Sequence, residues 1–245
     1  MIVMKTFGPK FGAPDPSPFV MKGMALLKMS GLEHRFEPGD PRKAPKQKMP
    51  YITDNGKPIG DSTLFRFYLE DAYGIDFYPG LTPVEKATAW AFEKMCEEHL
   101  YFCALHERWV KDTNFNKGPR QFFDIVPGVM RPLIVAMVRR DIKRSLHGQG
   151  IGRHTDEEIL DFARRDFQAL SDFLGDKPYF MGNTLTGADA VVHAFVTAGL
   201  TPLFTGAMLD TFQGYANLVA YSERLMAHWY EDTDWATGQP GAAST

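Results

Sequence analysis

Apolar and polar residues follow two different rhythms along the chain, and the change falls near residue 80. Before it, short apolar runs predict strands at residues 2–7, 34–37, 51–53 and 58–59. Asp54-Asn55-Gly56 is a turn signal joining the last two as a hairpin. Residues 18–30 read as a helix that stops before Gly31, and Leu64, Phe65, Tyr68 and Leu69 recur at helical spacing until Gly74. A βαβ unit followed by a hairpin and a helix predicts a four-stranded α/β domain of thioredoxin type.

After the break at Tyr78-Pro79-Gly80 the helical period takes over. Thr82-Pro83-Val84-Glu85 combines an N-cap, a proline at the first helical position and an acidic third position. The helix it opens is expected to reach about Lys111, a length of roughly 40 Å at 1.5 Å per residue. Thr155-Asp156-Glu157-Glu158 is a second capping box, followed by an apolar stripe through Ile159, Ala163, Phe167, Leu170 and Leu174. Thr186-Gly187-Ala188-Asp189 opens a helix that is apolar nearly all round, which belongs in the middle of a bundle. A last helix is expected over residues 218–230. The domains are therefore expected at 1–76 and 82–235, with 236–245 a small, polar, flexible tail.

Composition narrows the function classes. The 245 residues are 44% hydrophobic and 23% charged, as in ordinary globular proteins. A formal charge of −3 gives no general attraction for phosphate backbones, so nucleic acid is not an expected partner. Cys96 and Cys103 stand about 10 Å apart along one predicted helix, too far to bridge. No secretory pattern is present, and residues 132–138, the most apolar stretch, fall far short of the ~20 a membrane span needs. A cytoplasmic location is expected.

Three motifs then carry a resemblance. Ser17-Pro18-Phe19 with Lys22, Lys48-Met49-Pro50, and the stretch from Asn55 to Asp61-Ser62 resemble the N-terminal domain of glutathione transferases, above all the plant tau class. The second half is similar to the metaxin and failed-axon-connections branch, through residues 150–155, Leu174-Gly175-Asp176-Lys177-Pro178, Gly182, Thr186, Asp189, Asn217-Leu218 and Tyr221. The resemblance implies a thioredoxin-like head on an all-helical body, glutathione as co-substrate, no metal, and a homodimer.

It also implies roles. Ser17 would stabilise the glutathione thiolate, since donors and a helix N-terminus lower a thiol's pKa from ~8.5 toward neutrality. From the residues alone Ser17 reads first as a helix cap before Pro18, and the other motifs turn the reading toward the site. Phe19, Lys48, Met49, Pro50, Asp61 and Ser62 would bind glutathione. A cis Met49–Pro50 bond would turn the Met49 backbone toward the peptide, and Asp61-Ser62 at a helix start would hold its γ-glutamyl end. Thiol-transfer relatives carry cysteine at the Ser17 position, so serine favours conjugation. The electrophile, small and hydrophobic, is expected against the long helix near Trp90, Tyr101 or Arg153.

Other constellations carry less. Cys96, His99, Cys103 and His106 share a helix face, but one helix aims only neighbouring positions at a single ion, so a packed face is the plainer reading. Gly148 to Gly152 lacks the preceding strand of a phosphate loop and reads as a linker. Arg139, Arg140, Lys143 and Arg144 form a basic face. The function expected is a glutathione transferase; the alternatives are a non-catalytic binding or assembly protein of the same fold, or a glutathione-dependent lyase or isomerase.

Overall fold

The computed structural model describes residues 1–231 together with 233–234 and 239–240. Its first half is one four-stranded sheet in the order β2-β1-β3-β4, formed by β1 (Ile2–Thr6), β2 (His34–Pro38), β3 (Tyr51–Asp54) and β4 (Lys57–Gly60). β1 and β2 run parallel because α1 (Pro18–Ser30) crosses between them. β3 returns antiparallel to β1, with Lys5 opposite Tyr51, and Asn55-Gly56 turns the chain into β4. Both turn residues have positive φ, 48° and 79°, which suits a tight hairpin. α2 (Ser62–Tyr73) completes this half.

Alternation along β1 buries Ile2, Met4 and Thr6. Apart from the partly buried Phe19, α1 is buried from Pro18 to Leu27 because it is covered on two sides. One side faces the sheet and α2, where a side chain on Gly23 would come within 2.6 Å of Met4 and 2.8 Å of Phe65. The other faces α8 (Gly187–Gly199) of the helical half. A helix apolar all round is the sequence signature of that sandwiched position.

The predicted long helix is one continuous rod with a fault in it. α3 (Pro83–Met95) passes through a π turn at Cys96–Leu100 into α4 (Tyr101–Trp109). Its start is the predicted capping box: Thr82 N–H donates to Glu85 at 2.8 Å and Glu85 N–H to the Thr82 hydroxyl at 3.3 Å. α10 (Ala216–Tyr230) packs on α8 and on α7 (Asp156–Leu174), while α5 (Asp112–Lys117), α6 (Arg131–Gln149) and α7 pack on α4 and α9 (Ala207–Gln213) on α7. The expected tail at 236–245 lies outside the described residues except Gln239–Pro240, whose backbone pairs with Thr233–Asp234.

Asp189 opens the buried α8 as a structural carboxylate. It accepts from the Thr186 N–H at 2.8 Å and hydroxyl at 3.1 Å, the Phe180 N–H at 2.6 Å and the Tyr221 hydroxyl at 2.9 Å. Burial raises its pKa above the ordinary carboxylate value against the pull of those donors.

Candidate functional site

Topology gathers the three motifs at one end of the sheet. Because Lys5 pairs with Tyr51 and Tyr51 with Gly60, the end of β1, the start of β3 and the end of β4 lie side by side. The segments that leave those ends carry Ser17, Met49-Pro50 and Asp61-Ser62.

Ser17 stands just ahead of α1 with extended backbone. Its carbonyl oxygen accepts from Val20 and Met21 and so starts the helix, but its side chain makes no cap bond. Its N–H is committed to the Asp15 carboxylate at 2.9 Å. The other Asp15 oxygen accepts from Phe7 at 2.8 Å and Gly8 at 3.0 Å, so one buried side chain ties the end of β1 to the start of α1. Burial, against those three donors, pushes the Asp15 carboxyl up to about 8. Sequence reasoning missed Asp15. The available signal was Asp two residues before Ser17, the spacing at which an aspartate side chain bonds the backbone two residues on.

The Met49–Pro50 peptide is cis, as the resemblance implies. Asp61 caps α2 from a positive φ of 77°, accepting from Thr63 N–H at 2.9 Å. Lys48 meets its other oxygen at 3.3 Å. Burial raises the Asp61 pKa, but the Thr63 N–H and Lys48 outweigh it and hold the carboxyl below the usual range. Ser62, the first residue of α2, is buried.

Phe19 points across to the helical half. Its ring meets Tyr101 edge-on at 4.9 Å and Phe195 at 5.2 Å. Tyr101 thus joins the Ser17 neighbourhood, and burial raises its hydroxyl pKa. Trp90 and Arg153 do not join it. Trp90 stacks on Phe67, with the Lys94 ammonium over its ring, and lines a groove with Arg66, Glu70 and Tyr78. Arg153 is exposed after α6 and donates to the His147 carbonyl.

Lys22, part of the first motif, does something the sequence does not reveal. Its ammonium is fully buried and meets Glu93 at 2.7 Å, Glu97 at 2.5 Å and the Thr63 hydroxyl at 2.9 Å. Glu93 also takes Arg66 at 3.3 Å. Burial raises the Glu93 pKa, but Lys22 and Arg66 reverse the shift and lower it. This network joins α1 and α2 to the long helix beneath the site.

The remaining constellations resolve into packing. Cys96 and Cys103 are free and buried, and burial pushes the Cys103 thiol up to about 12. His99 pairs with Asp166 at 2.6 Å and His106 lies 3.7 Å from Asp156. Arg139 of the basic face binds Asp112 and the Trp109 and Val110 carbonyls, while Arg144 binds Asp141. Gly148 to Gly152 closes α6 and enters a short turn. Among the described residues no helix is long and apolar enough to cross a membrane.

A thioredoxin-like sheet whose strand ends carry a cis-proline and face an all-helical half defines the glutathione transferase fold. The profile of the glutathione S-transferase N-terminal domain matches residues 18–114, and that of its C-terminal domain residues 163–225. The isoprene-epoxide–glutathione S-transferase of Rhodococcus sp. (strain AD45) is 32% identical over 236 residues, covering 92% of this chain and 98% of its own. The chain therefore belongs to the glutathione S-transferase family. Failed axon connections of Drosophila melanogaster is 28% identical over 75% of this chain and 46% of its own. Metaxin-2 of Mus musculus is 25% identical over 80% of this chain and 74% of its own. Among solved structures, beta-etherase LigF from Sphingobium sp. strain SYK-6 shares the fold with TM-score 0.63 at 18% identity, covering 94% and 98% of the two chains.

Proposed function

We propose that this protein joins the glutathione thiolate to a small hydrophobic electrophile, and that an epoxide is the class it takes. The observation that carries the reading is Ser17. Its hydroxyl, at the positive end of α1, is spent on no cap bond, while its backbone is fixed by Asp15. A hydroxyl held there donates to a sulfur anion and lowers the thiol's pKa. The cis Met49–Pro50 peptide and the α2 N-terminus at Asp61-Ser62 sit at the same sheet end, which suits main-chain pairing to a peptide and capture of its charged terminus. The epoxide follows from the Rhodococcus relative, whose name states that substrate.

Homodimerisation belongs to the same reading. Leu64, Phe67, Val84 and Trp90 leave apolar surface exposed on α2 and α3, in both halves of one protomer. The likeness to failed axon connections and metaxin-2 favours a second reading, a non-catalytic binding or assembly protein. Calorimetric titration of glutathione, followed by assay of a small epoxide, separates them. Saturable binding with thioether formation supports the transferase. Failure to bind at millimolar glutathione favours the second reading.

A further inference from the structure

Arg108 is an arginine with an unusual lack of company. Among the described residues, the arginines without a carboxylate partner are Arg108, Arg120, Arg153 and Arg224, and the last three are exposed to solvent. Arg108 is instead partly buried on α4, its guanidinium 4.5 Å from the centre of the Phe204 ring. One nitrogen, Nη2, donates to the Ala198 carbonyl. Among the described residues Nε and Nη1 donate to no protein group. Two donors of a sheltered cation are thus left for something outside the fold.

Their position follows from helix geometry. Tyr101 and Arg108 are seven residues apart on one regular helix, so they share a face about 10 Å apart along the axis. At one end Tyr101 touches Phe19, two residues beyond Ser17. At the other, Phe204 under Arg108 touches Phe11 of the β1–α1 loop at 5.7 Å. Phe11 in turn meets Phe122, which stacks with Trp109 of α4 and touches Phe7. The loop that ends in Ser17 and the inner face of α4 therefore run opposite each other, lined by aromatic rings. Burial brings the Arg108 pKa down to about 10, which leaves it a cation at neutral pH.

We propose that Arg108 is the catalytic residue on the electrophile side, binding the oxygen of an epoxide through Nε and Nη1. The proposal rests on the transferase reading above. The sulfur lone pair forms the new C–S bond while the ring C–O bond breaks, both its electrons passing to oxygen. The alkoxide so formed is hydrogen-bonded by the guanidinium, then takes a proton from water to give the β-hydroxyalkyl thioether. No atom changes hands with an oxidant or reductant. Donors fixed where charge develops act most strongly in a site walled by apolar groups. An aromatic lining suits a small hydrophobic epoxide, and Arg108 supplies the cationic donor that reads its oxygen.

The test compares two electrophiles on the full-length chain with glutathione: a small terminal epoxide, which builds an alkoxide, and a small alkyl iodide, which does not. Arg108→Leu should lower kcat/KM for the epoxide by about 100-fold and for the iodide by less than about threefold. Arg108→Gln, which keeps a donor for Ala198, guards against misfolding and should show the same selectivity. By calorimetry both variants should bind the β-hydroxyalkyl glutathione product more weakly than wild type, with S-alkyl glutathione unaffected. Equal losses on both electrophiles, or no loss on either, would overturn the assignment. A wild-type protein that turns over neither electrophile overturns the transferase reading itself, and Arg108's role with it.

Discussion

Lys22 of α1 and Glu93 of α3 meet at 2.7 Å with both side chains fully withdrawn from solvent. The cost of burying such a pair is offset only if each charge stays satisfied. Glu97 and Thr63 complete the shell of Lys22, and Arg66 that of Glu93. Lys22→Met leaves two buried carboxylates without their shared cation. The expected loss is about 3–5 kcal/mol of unfolding free energy, measured by urea denaturation. A loss below about 1 kcal/mol would show that the network merely fills space.

Asp15 gives a pH signature. Its folded-state pKa is pushed up to about 8 from an ordinary 3.8, so the folded chain keeps a proton that the unfolded chain has released. Stability from this group is therefore full below about pH 4 and is lost as pH rises toward 8. Asp189 and Asp166, also raised by burial, act in the same direction. Asp15→Asn should flatten the decline of urea stability between pH 5 and pH 8. A wild-type slope retained in the variant would show that Asp15 is ionised throughout.

Asp189→Ala removes an acceptor shared by four donors on Phe180, Thr186 and Tyr221. Each buried donor left unpaired costs about 1–3 kcal/mol, so a loss of at least 3 kcal/mol is expected. The folded fraction should bind glutathione with wild-type affinity. Normal melting with abolished activity would move Asp189 from scaffold to chemistry.

Local signals made much of this legible in the sequence. The bounds of α1 follow from Pro18 and Gly31, the β3–β4 hairpin from Asn55-Gly56, and the starts of α3, α7 and α8 from their capping boxes. The cis bond before Pro50 came from resemblance, since spacing alone favours trans. What escaped is long-range. Lys22 and Glu93 are 71 residues apart, and nothing near either names the other. Trp90 has the composition of a site residue but turns to Phe67, because the π turn and helix phase decide which face meets Phe19. Nothing adjacent in sequence marks Arg108, because its contacts with the Ala198 carbonyl and the Phe204 ring come from residues 90 and more positions away.

The central claim is that Ser17 stabilises a glutathione thiolate, and the thiol's own pKa tests it most directly. Thiolate absorbance of bound glutathione, titrated against pH, should give a pKa well below the ~8.5 of a free thiol in wild type. A hydrogen bond to a charged sulfur is worth about 1.5–3 kcal/mol, so Ser17→Ala should raise that pKa by about 1–2 units. Conjugation at neutral pH should fall at least about tenfold while melting hardly changes. A bound thiol that titrates at the same pH in wild type and Ser17→Ala would contradict the account and return Ser17 to the role of a helix start.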